Sequence, residues 1–494
     1  MTEPTLALDP ATFRRLGHRA VDLAADHLDG MRDRPVFQPM TPAQRAELLD
    51  QPLPTEGLDP AAILERFAET VLPFPMGNGH PRFFGWVNSP PAHISVLAEL
   101  LAAAMDPSCA GGDHAAIYVE RAAVRWLMEL IGYPTDGSMG ILVSGGSMAS
   151  LTCLAAARHR LALREGWNDR RDGVGGDRAP LVIYLSSEAH TTLHKAIELL
   201  GLGTRSLRVI PVDDDFRIDV TALRAAIATD RAAGKVPFCV AASAGTVATG
   251  AIDRFDVLAD VCAEEGLWLH VDGAYGAVGI LDPDRRDRYA GMDRADSLAI
   301  DPHKWLSIPV ECGCAIVRDG ALLRDTFSLV PSYVRTEEGR GIGGLPWYSE
   351  YGFQQSRGFR ALKLWMTMQH VGRDGYARII TRHNRLAQRL AERIDAAPDF
   401  ELLAPVELSI VCFRYRPADA TMSDVAVDAL NKAIMEEVQI SGEAFVTQAI
   451  INGRFSLRAN IIHYGTTEED TGMLIESIRA AGERLTQAAA RGVT

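Results

Sequence analysis

Leu267-Trp268-Leu269-His270-Val271-Asp272-Gly273-Ala274-Tyr275 and Ser297-Leu298-Ala299-Ile300-Asp301-Pro302-His303-Lys304-Trp305 share one pattern. A short apolar run, read as a buried strand, ends in residues that carry chemistry. Further runs of this kind lie at Ile141–Val143, Leu181–Leu185, Ser206–Ile210, Phe238–Ala242 and Cys312–Val317, with helical stretches between them. Strands alternating with helices predict an α/β fold, a mainly parallel seven-stranded sheet flanked by helices. Ligands of such sheets sit at the carboxyl ends of the strands, where Asp272 and Lys304 fall.

An aspartate at one strand end and a His-Lys pair at the next suit pyridoxal 5'-phosphate (PLP). A lysine amine forms a Schiff base with the cofactor aldehyde, and a carboxylate keeps the pyridine nitrogen protonated. A lysine between an apolar strand and Trp305 makes an awkward core residue, since charged amines resist burial unless paired. Ser144-Gly145-Gly146-Ser147 follows a strand and opens a helix. Alone it reads as a glycine-rich turn with a serine cap; beside Asp272 and Lys304 it reads as a phosphate cup. His190, after Ser186-Ser187-Glu188-Ala189, is placed to stack on a ring or handle a proton. Thr246, in Ala244-Gly245-Thr246, is either a turn residue or a hydroxyl near the cofactor. His194 lies four residues from His190, but no further ligand completes a metal site nearby, so no metal is expected. Gly339-Arg340-Gly341-Ile342-Gly343-Gly344 fits G-x-G-x-x-G without joining a strand to a helix, and is read as a glycine-rich loop.

Composition narrows the class. The chain has 494 residues, 47% of them hydrophobic and 23% charged, which suits a large domain with smaller ones attached. A formal charge of −14 without a basic run argues against nucleic acid as a partner. Seven scattered cysteines without a CxxC pair favour a reducing cytoplasm. The N-terminus lacks a signal-peptide pattern, and the apolar stretch from Ile94 to Met105 is too short to span a membrane. Thr12–Met31 predicts an amphipathic helix, followed by a proline-rich stretch with short helices near Ala43–Leu49 and Pro60–Val71. This segment reads as an arm that packs on something else, such as a second subunit. A long helix is expected over Arg360–Ala396, then a small α+β domain with strands near Leu408–Tyr415 and Phe455–Ile462. The expected divisions are 1–92 (N-terminal helical dimerisation arm), 93–362 (large PLP-binding domain) and 363–494 (small C-terminal domain).

Together these residues resemble the group II PLP-dependent amino-acid decarboxylases, most closely the aromatic-L-amino-acid decarboxylase branch. The motifs that carry the resemblance run along nearly the whole chain: the opening helix from Phe13-Arg14-Arg15, His80-Pro81-Arg82-Phe83-Phe84, Ser147, Ala189-His190, Gly245-Thr246, His270-Val271-Asp272, Pro302-His303-Lys304-Trp305, Pro331-Ser332-Tyr333 and Arg357-Gly358-Phe359-Arg360. The resemblance implies fold type I, that of aspartate aminotransferase, in an obligate homodimer with shared active sites. It implies that Lys304 carries the cofactor, Asp272 pairs with the pyridinium, His190 stacks on the ring and Ala274 packs on the other face. Gly146, Ser147 and His303 would hold the phosphate, with Thr246 beside the cofactor. Tyr333 would protonate the carbanion after carbon dioxide leaves. The implied reaction is decarboxylation of an L-amino acid to its amine through a Lys304 aldimine and a quinonoid.

Two departures stand out. Asp301 occupies a position where the aromatic branch usually has Asn near the phosphate; a carboxylate there needs a cation, and Arg357 is a possible partner. The substrate wall, Trp86, Val87, Asn88 and Ser89, is less aromatic than the branch, and Asp106–His114 lacks expected Phe and Trp. Tyrosine, DOPA or tryptophan remain candidate substrates, as does a non-aromatic amino acid. An aldehyde synthase, in which oxygen intercepts the carbanion, is the alternative; the presence of both Tyr333 and His190 favours simple decarboxylation.

Overall fold

The prolines of the N-terminal region begin its helices. Asp9, Thr41 and Asp59 accept hydrogen bonds from the first free N–H groups of α1 (Pro10–Asp29), α2 (Pro42–Leu49) and α3 (Pro60–Thr70), and a proline follows each cap directly. The computed structural model describes residues 6–330, 340–418 and 422–491. Next come α4 (His93–Met105), α5 (Ala115–Leu130), β1 (Met139–Val143) and α6 (Gly146–Arg164).

The main sheet continues with β2 (Leu181–Ser186), β3 (Leu207–Ile210), β4 (Val236–Ser243), β5 (Trp268–Asp272), β6 (Ser297–Ile300) and β7 (Gly313–Val317). Its order is β1-β7-β6-β5-β4-β2-β3, and only β7 runs antiparallel to its neighbours. Ser243 pairs with Asp272 and Asp272 with Ala299, so the carboxyl ends of β4, β5 and β6 lie side by side. The fold is type I, with the mainly parallel seven-stranded sheet expected from the sequence. Gly313 opens β7 against the turn after β1. A Cβ there would stand 2.4 Å from the Gly145 Cα, so glycine alone permits the approach.

A helix spans Arg360–Asp395 and kinks at Gly372, whose φ of 67° and ψ of 165° are not helical. The expected division at 362/363 falls inside its first turn. Its early apolar residues, including Leu364 and Ile380, join the core of the main sheet. Leu386, Leu390 and Ile394 join a second core under a four-stranded antiparallel sheet, β10-β11-β9-β8. Here β9 (Ile410–Tyr415) and β11 (Arg454–Asn460) correspond to the two expected strands; β8 (Phe400–Leu402) and β10 (Thr447–Ile451) were not anticipated.

Part of the N-terminal segment packs on this C-terminal sheet of its own chain. Phe84 N donates to Phe445 O (2.7 Å), Asn460 N donates to Phe84 O (3.0 Å), and the Phe83 and Phe445 rings stack at 4.8 Å. This places Trp86, Val87 and Asn88 at the carboxyl edge of the main sheet.

Candidate active site

A cavity of about 570 Å³ opens at that edge. It gathers Gly146 and Ser147 after β1, His190 after β2, Thr246 after β4, Asp272 and Ala274 at the end of β5, His303 and Lys304 after β6, and Trp86, Val87 and Asn88. Ser89 is buried behind this wall, where its hydroxyl donates to His303 O at 3.4 Å. Tyr333 lies outside the described residues.

Lys304 is held from two directions. Its Nζ is 3.0 Å from Asp301 Oδ2. The next residue, Trp305, stacks on Tyr275 at 4.9 Å and donates from Nε1 to His383 Nδ1 at 2.9 Å. Burial keeps His383 neutral, its pKa pushed down to about 3, so it stays an acceptor. Asp301 therefore takes Lys304 and, at 3.6 Å, His303 as its neighbours. Arg357 is not its partner, contrary to the sequence expectation. That guanidinium is fully buried elsewhere, bound to Glu120, Cys109 O and Leu142 O.

Both histidines of the cavity have one fixed ring nitrogen. Thr192 N donates to His190 Nδ1 (3.1 Å) and Cys312 N donates to His303 Nδ1 (3.0 Å), which puts each neutral ring's proton on Nε2. Burial lowers both pKa values. Asp272 Oδ1 accepts from Ala274 N at 3.1 Å. Beneath it, buried His270, pKa pushed down to about 4, contacts Ser297 and Ser150 hydroxyls. Thr246 Oγ1 meets Thr249 Oγ1 at 2.9 Å and accepts from Ala251 N.

Sequence reasoning missed the contribution of the C-terminal sheet. Thr447, Gln448, Ala449 and Ile450 of β10 and Arg458 of β11 line the same cavity. Arg458 is 4% exposed; it donates to Val247 O, Ala248 O and Trp86 O, and its Nη2 has no partner among the described residues. The signal was present in Arg454-Phe455-Ser456-Leu457-Arg458: a guanidinium inside an apolar strand is as costly as the lysine at Lys304 unless it has work to do.

The cavity fits a phosphate-bearing aldehyde. At Gly146 a Cβ would lie 2.9 Å from Asp301 Oδ2 and 3.1 Å from Ala274 Cβ, so the turn leaves space only for backbone, and α6 starts there without a side-chain cap. Such a start binds anions. With an amine, a carboxylate and a histidine around one space on a type I fold, the site defines a lysine enzyme of the PLP class. Residues 42–416 match the pyridoxal-dependent decarboxylase conserved domain, and the chain belongs to that family. It is a PLP-dependent amino-acid decarboxylase. An aromatic-L-amino-acid decarboxylase of Bacillus atrophaeus is 33% identical over 482 residues, covering 97% of each chain. A phenylacetaldehyde synthase of a Rosa hybrid cultivar is 28% identical, covering 96% of this chain and 94% of its own. The crystal structure of Oryza sativa TDC with PLP and tryptamine superposes with a TM-score of 0.90 at 28% identity, covering 98% of this chain and 100% of that one.

Proposed function

We propose that this decarboxylase acts on an aromatic L-amino acid and releases the primary amine. The observation that carries the reading is the convergence of Lys304, Asp272 and His190 on one cavity with an apolar wall that includes Trp86, Val247 and Ile450. The similarity to the aromatic-L-amino-acid decarboxylase of Bacillus atrophaeus supports it.

Bound PLP supplies the electron sink for the pair left at Cα. Lys304 Nζ would hold the cofactor aldehyde. Asp272 would pair with the pyridine nitrogen and keep it protonated. His190, a neutral imidazole, and Ala274 would bound the space for the ring. Gly146, Ser147 and His303 would hold the phosphate, with Thr246 beside the cofactor. Trp86, Val87, Asn88 and Ser89 form or back the substrate wall. Arg458 receives the substrate carboxylate in charge-assisted hydrogen bonds and orients it. Tyr333 returns a proton to Cα.

The protein works as a homodimer with shared sites, in the cytoplasm. Exposed Leu97, Leu100, Leu101 and Met105 on α4 support the first point, and seven buried free cysteines the second. Among the described residues, no helix is long and apolar enough to cross a membrane. We divide the chain into the arm (1–92), the large domain (93–362) and the small domain (363–494).

The deciding experiment is an amino-acid panel with amine, carbon dioxide and hydrogen peroxide all measured. Amine and carbon dioxide in equal amounts from an aromatic substrate are expected. Peroxide and aldehyde in place of amine would favour the aldehyde synthase reading, to which the Rosa relative is similar. Turnover of non-aromatic amino acids alone would overturn the substrate class. In parallel, Lys304→Ala is expected to abolish the visible absorbance of the PLP-loaded protein.

A further inference from the structure

We propose that Asn460 is a positioning residue for the substrate. Its side-chain amide holds the Trp86 carbonyl and thereby sets both the Trp86 ring and the free edge of the Arg458 guanidinium. This rests on the reading of Trp86 and Arg458 as substrate-binding groups.

Trp86 has a φ of 46°, in the left-handed region that a bulky side chain rarely enters. Such a conformation persists only where the surroundings hold it. Here the C-terminal sheet takes both backbone polar groups. Trp86 N donates to Thr447 Oγ1 of β10 at 3.4 Å. Trp86 O accepts from Arg458 Nη1 at 2.9 Å and from Asn460 Nδ2 at 2.8 Å, both on β11. Asn460 also donates its own N–H to Phe84 O at 3.0 Å, so one residue grips the Phe84-Gly85-Trp86 turn at both ends. Between them, a Cβ at Gly85 would stand 2.9 Å from the Phe445 ring, so the turn is pressed against the sheet. The indole is left half exposed along the cavity.

The amide can face only one way. Nδ2 must meet Trp86 O, which only accepts, while Oδ1 takes the Ser409 hydroxyl at 3.2 Å. With that proton committed, Ser409 Oγ accepts from Tyr275 OH at 2.6 Å, and the tyrosine ring stacks on Trp305, the neighbour of Lys304. The substrate wall is thus tied to the buried network that braces the lysine. Asn460 is itself buried behind the cavity lining, so it acts through Trp86 and Arg458. Arg458 directs Nε at Val247 O and Ala248 O and Nη1 at Trp86 O, and Nη2 is the donor without a partner among the described residues. The guanidinium is planar, so a shift of the Trp86 carbonyl turns the plane and carries Nη2 with it.

Two variants and one unreactive ligand test this. 3-Phenylpropionate has the ring and carboxylate of an aromatic substrate but no amine to react with the cofactor aldehyde, so its competitive inhibition constant reads binding alone. In the PLP-loaded enzyme, Asn460→Ala should raise that constant and the KM of the aromatic substrate about tenfold, the scale of one charge-assisted hydrogen bond, with kcat within about twofold of wild type. Asn460→Asp keeps the size and the acceptor for Ser409 but puts a carboxylate beside Arg458 in place of the donor, so both constants should rise at least as far. The visible absorbance of bound PLP should match wild type in each. If Asn460→Ala does not fold, Asn460→Asp decides. Unchanged constants overturn the proposal, as does a fall in kcat or in PLP absorbance at unchanged KM, which marks a merely structural role. Arg458→Met separates the proposal from the reading beneath it. If that variant leaves the inhibition constant at the wild-type value, the substrate role of Arg458 falls; if it raises the constant while the Asn460 variants do not, only the positioning role falls.

Discussion

Among the described residues, Arg458 is a buried cation without a carboxylate partner. Burial lowers its pKa, three backbone carbonyls take part of its donor set, and Nη2 remains. An arginine left in that state in a cavity wall is explained by an anionic ligand that completes it. Arg458→Met should therefore lower kcat/KM by about ten- to a hundredfold, the loss of one or two charge-assisted hydrogen bonds, while the visible absorbance of bound PLP persists. Arg458→Lys, which keeps the charge but not the fork, should fall between. Unchanged kcat/KM in the Met variant would remove Arg458 from substrate binding. Lys304 and Asp272 were legible without coordinates because each stands where an apolar run stops and charge is out of place. Arg458 carried a weaker signal, a cation inside rather than at the end of an apolar run, so the segment reads as an ordinary strand. The partner of Asp301 was also illegible: which cation a carboxylate faces depends on side-chain direction, and Arg357 was already engaged with Glu120.

The same contrast holds for whole elements. All seven strands of the main sheet were readable: six are almost wholly buried and appear as apolar runs, and edge strand β3, interrupted by Arg208 and with Val209 exposed, still shows Leu207, Val209 and Ile210. β8 has three residues, too few to show a period. β10, at the edge of its sheet, alternates in burial, but its exposed positions hold Gln448 and Ile450, so the residue types of Thr447–Ile451 show no apolar–polar alternation. Two elements bear directly on the phosphate cup. β7 begins at Gly313, where a Cβ would stand 2.4 Å from Gly145 Cα. Gly313→Ala must push back the turn that opens α6, so PLP affinity should drop by about tenfold or more at a stability cost of about 1–3 kcal/mol, measured by cofactor titration and denaturant unfolding. Farther along α6, His159 lies between Asp169 (2.7 Å) and exposed Asp325 (3.0 Å) of the helix Gly320–Phe327. The hydrogen bond to Asp169 raises its pKa above the ordinary histidine value. A raised folded pKa stabilises fully below the unfolded value, about 6.5, and the benefit fades as pH rises through the folded value. Wild type should thus exceed His159→Gln by about 1–2 kcal/mol near pH 6, with the gap narrowing above it. A gap independent of pH would show that the imidazolium contributes nothing.

At the scale of the molecule, α4 offers the proposed homodimer a seat. Ser95 and Ala98 face inward, while Leu97, Leu100, Leu101 and Met105 recur at helical spacing and are each about half exposed, with Tyr118 of α5 also exposed. Isolated exposed leucines need no explanation, but four on one helix face form a contiguous patch of the kind that marks an interface. Each leucine fully removed from water contributes about 1.5–3 kcal/mol, so a twofold interface that repeats the patch gains enough to favour association. The patch also belongs to the segment that follows Trp86, Val87 and Asn88, so a partner seated on α4 lies close in sequence to the cavity wall. Leu100→Glu with Leu101→Glu places two carboxylates on each side of such an interface. The double variant should sediment as a monomer where wild type sediments as a dimer, and its specific activity should fall with dissociation. Because the cofactor groups come from one chain's strands, the monomer should still bind PLP, more weakly. A double variant that stays dimeric at the wild-type affinity would move the interface away from α4.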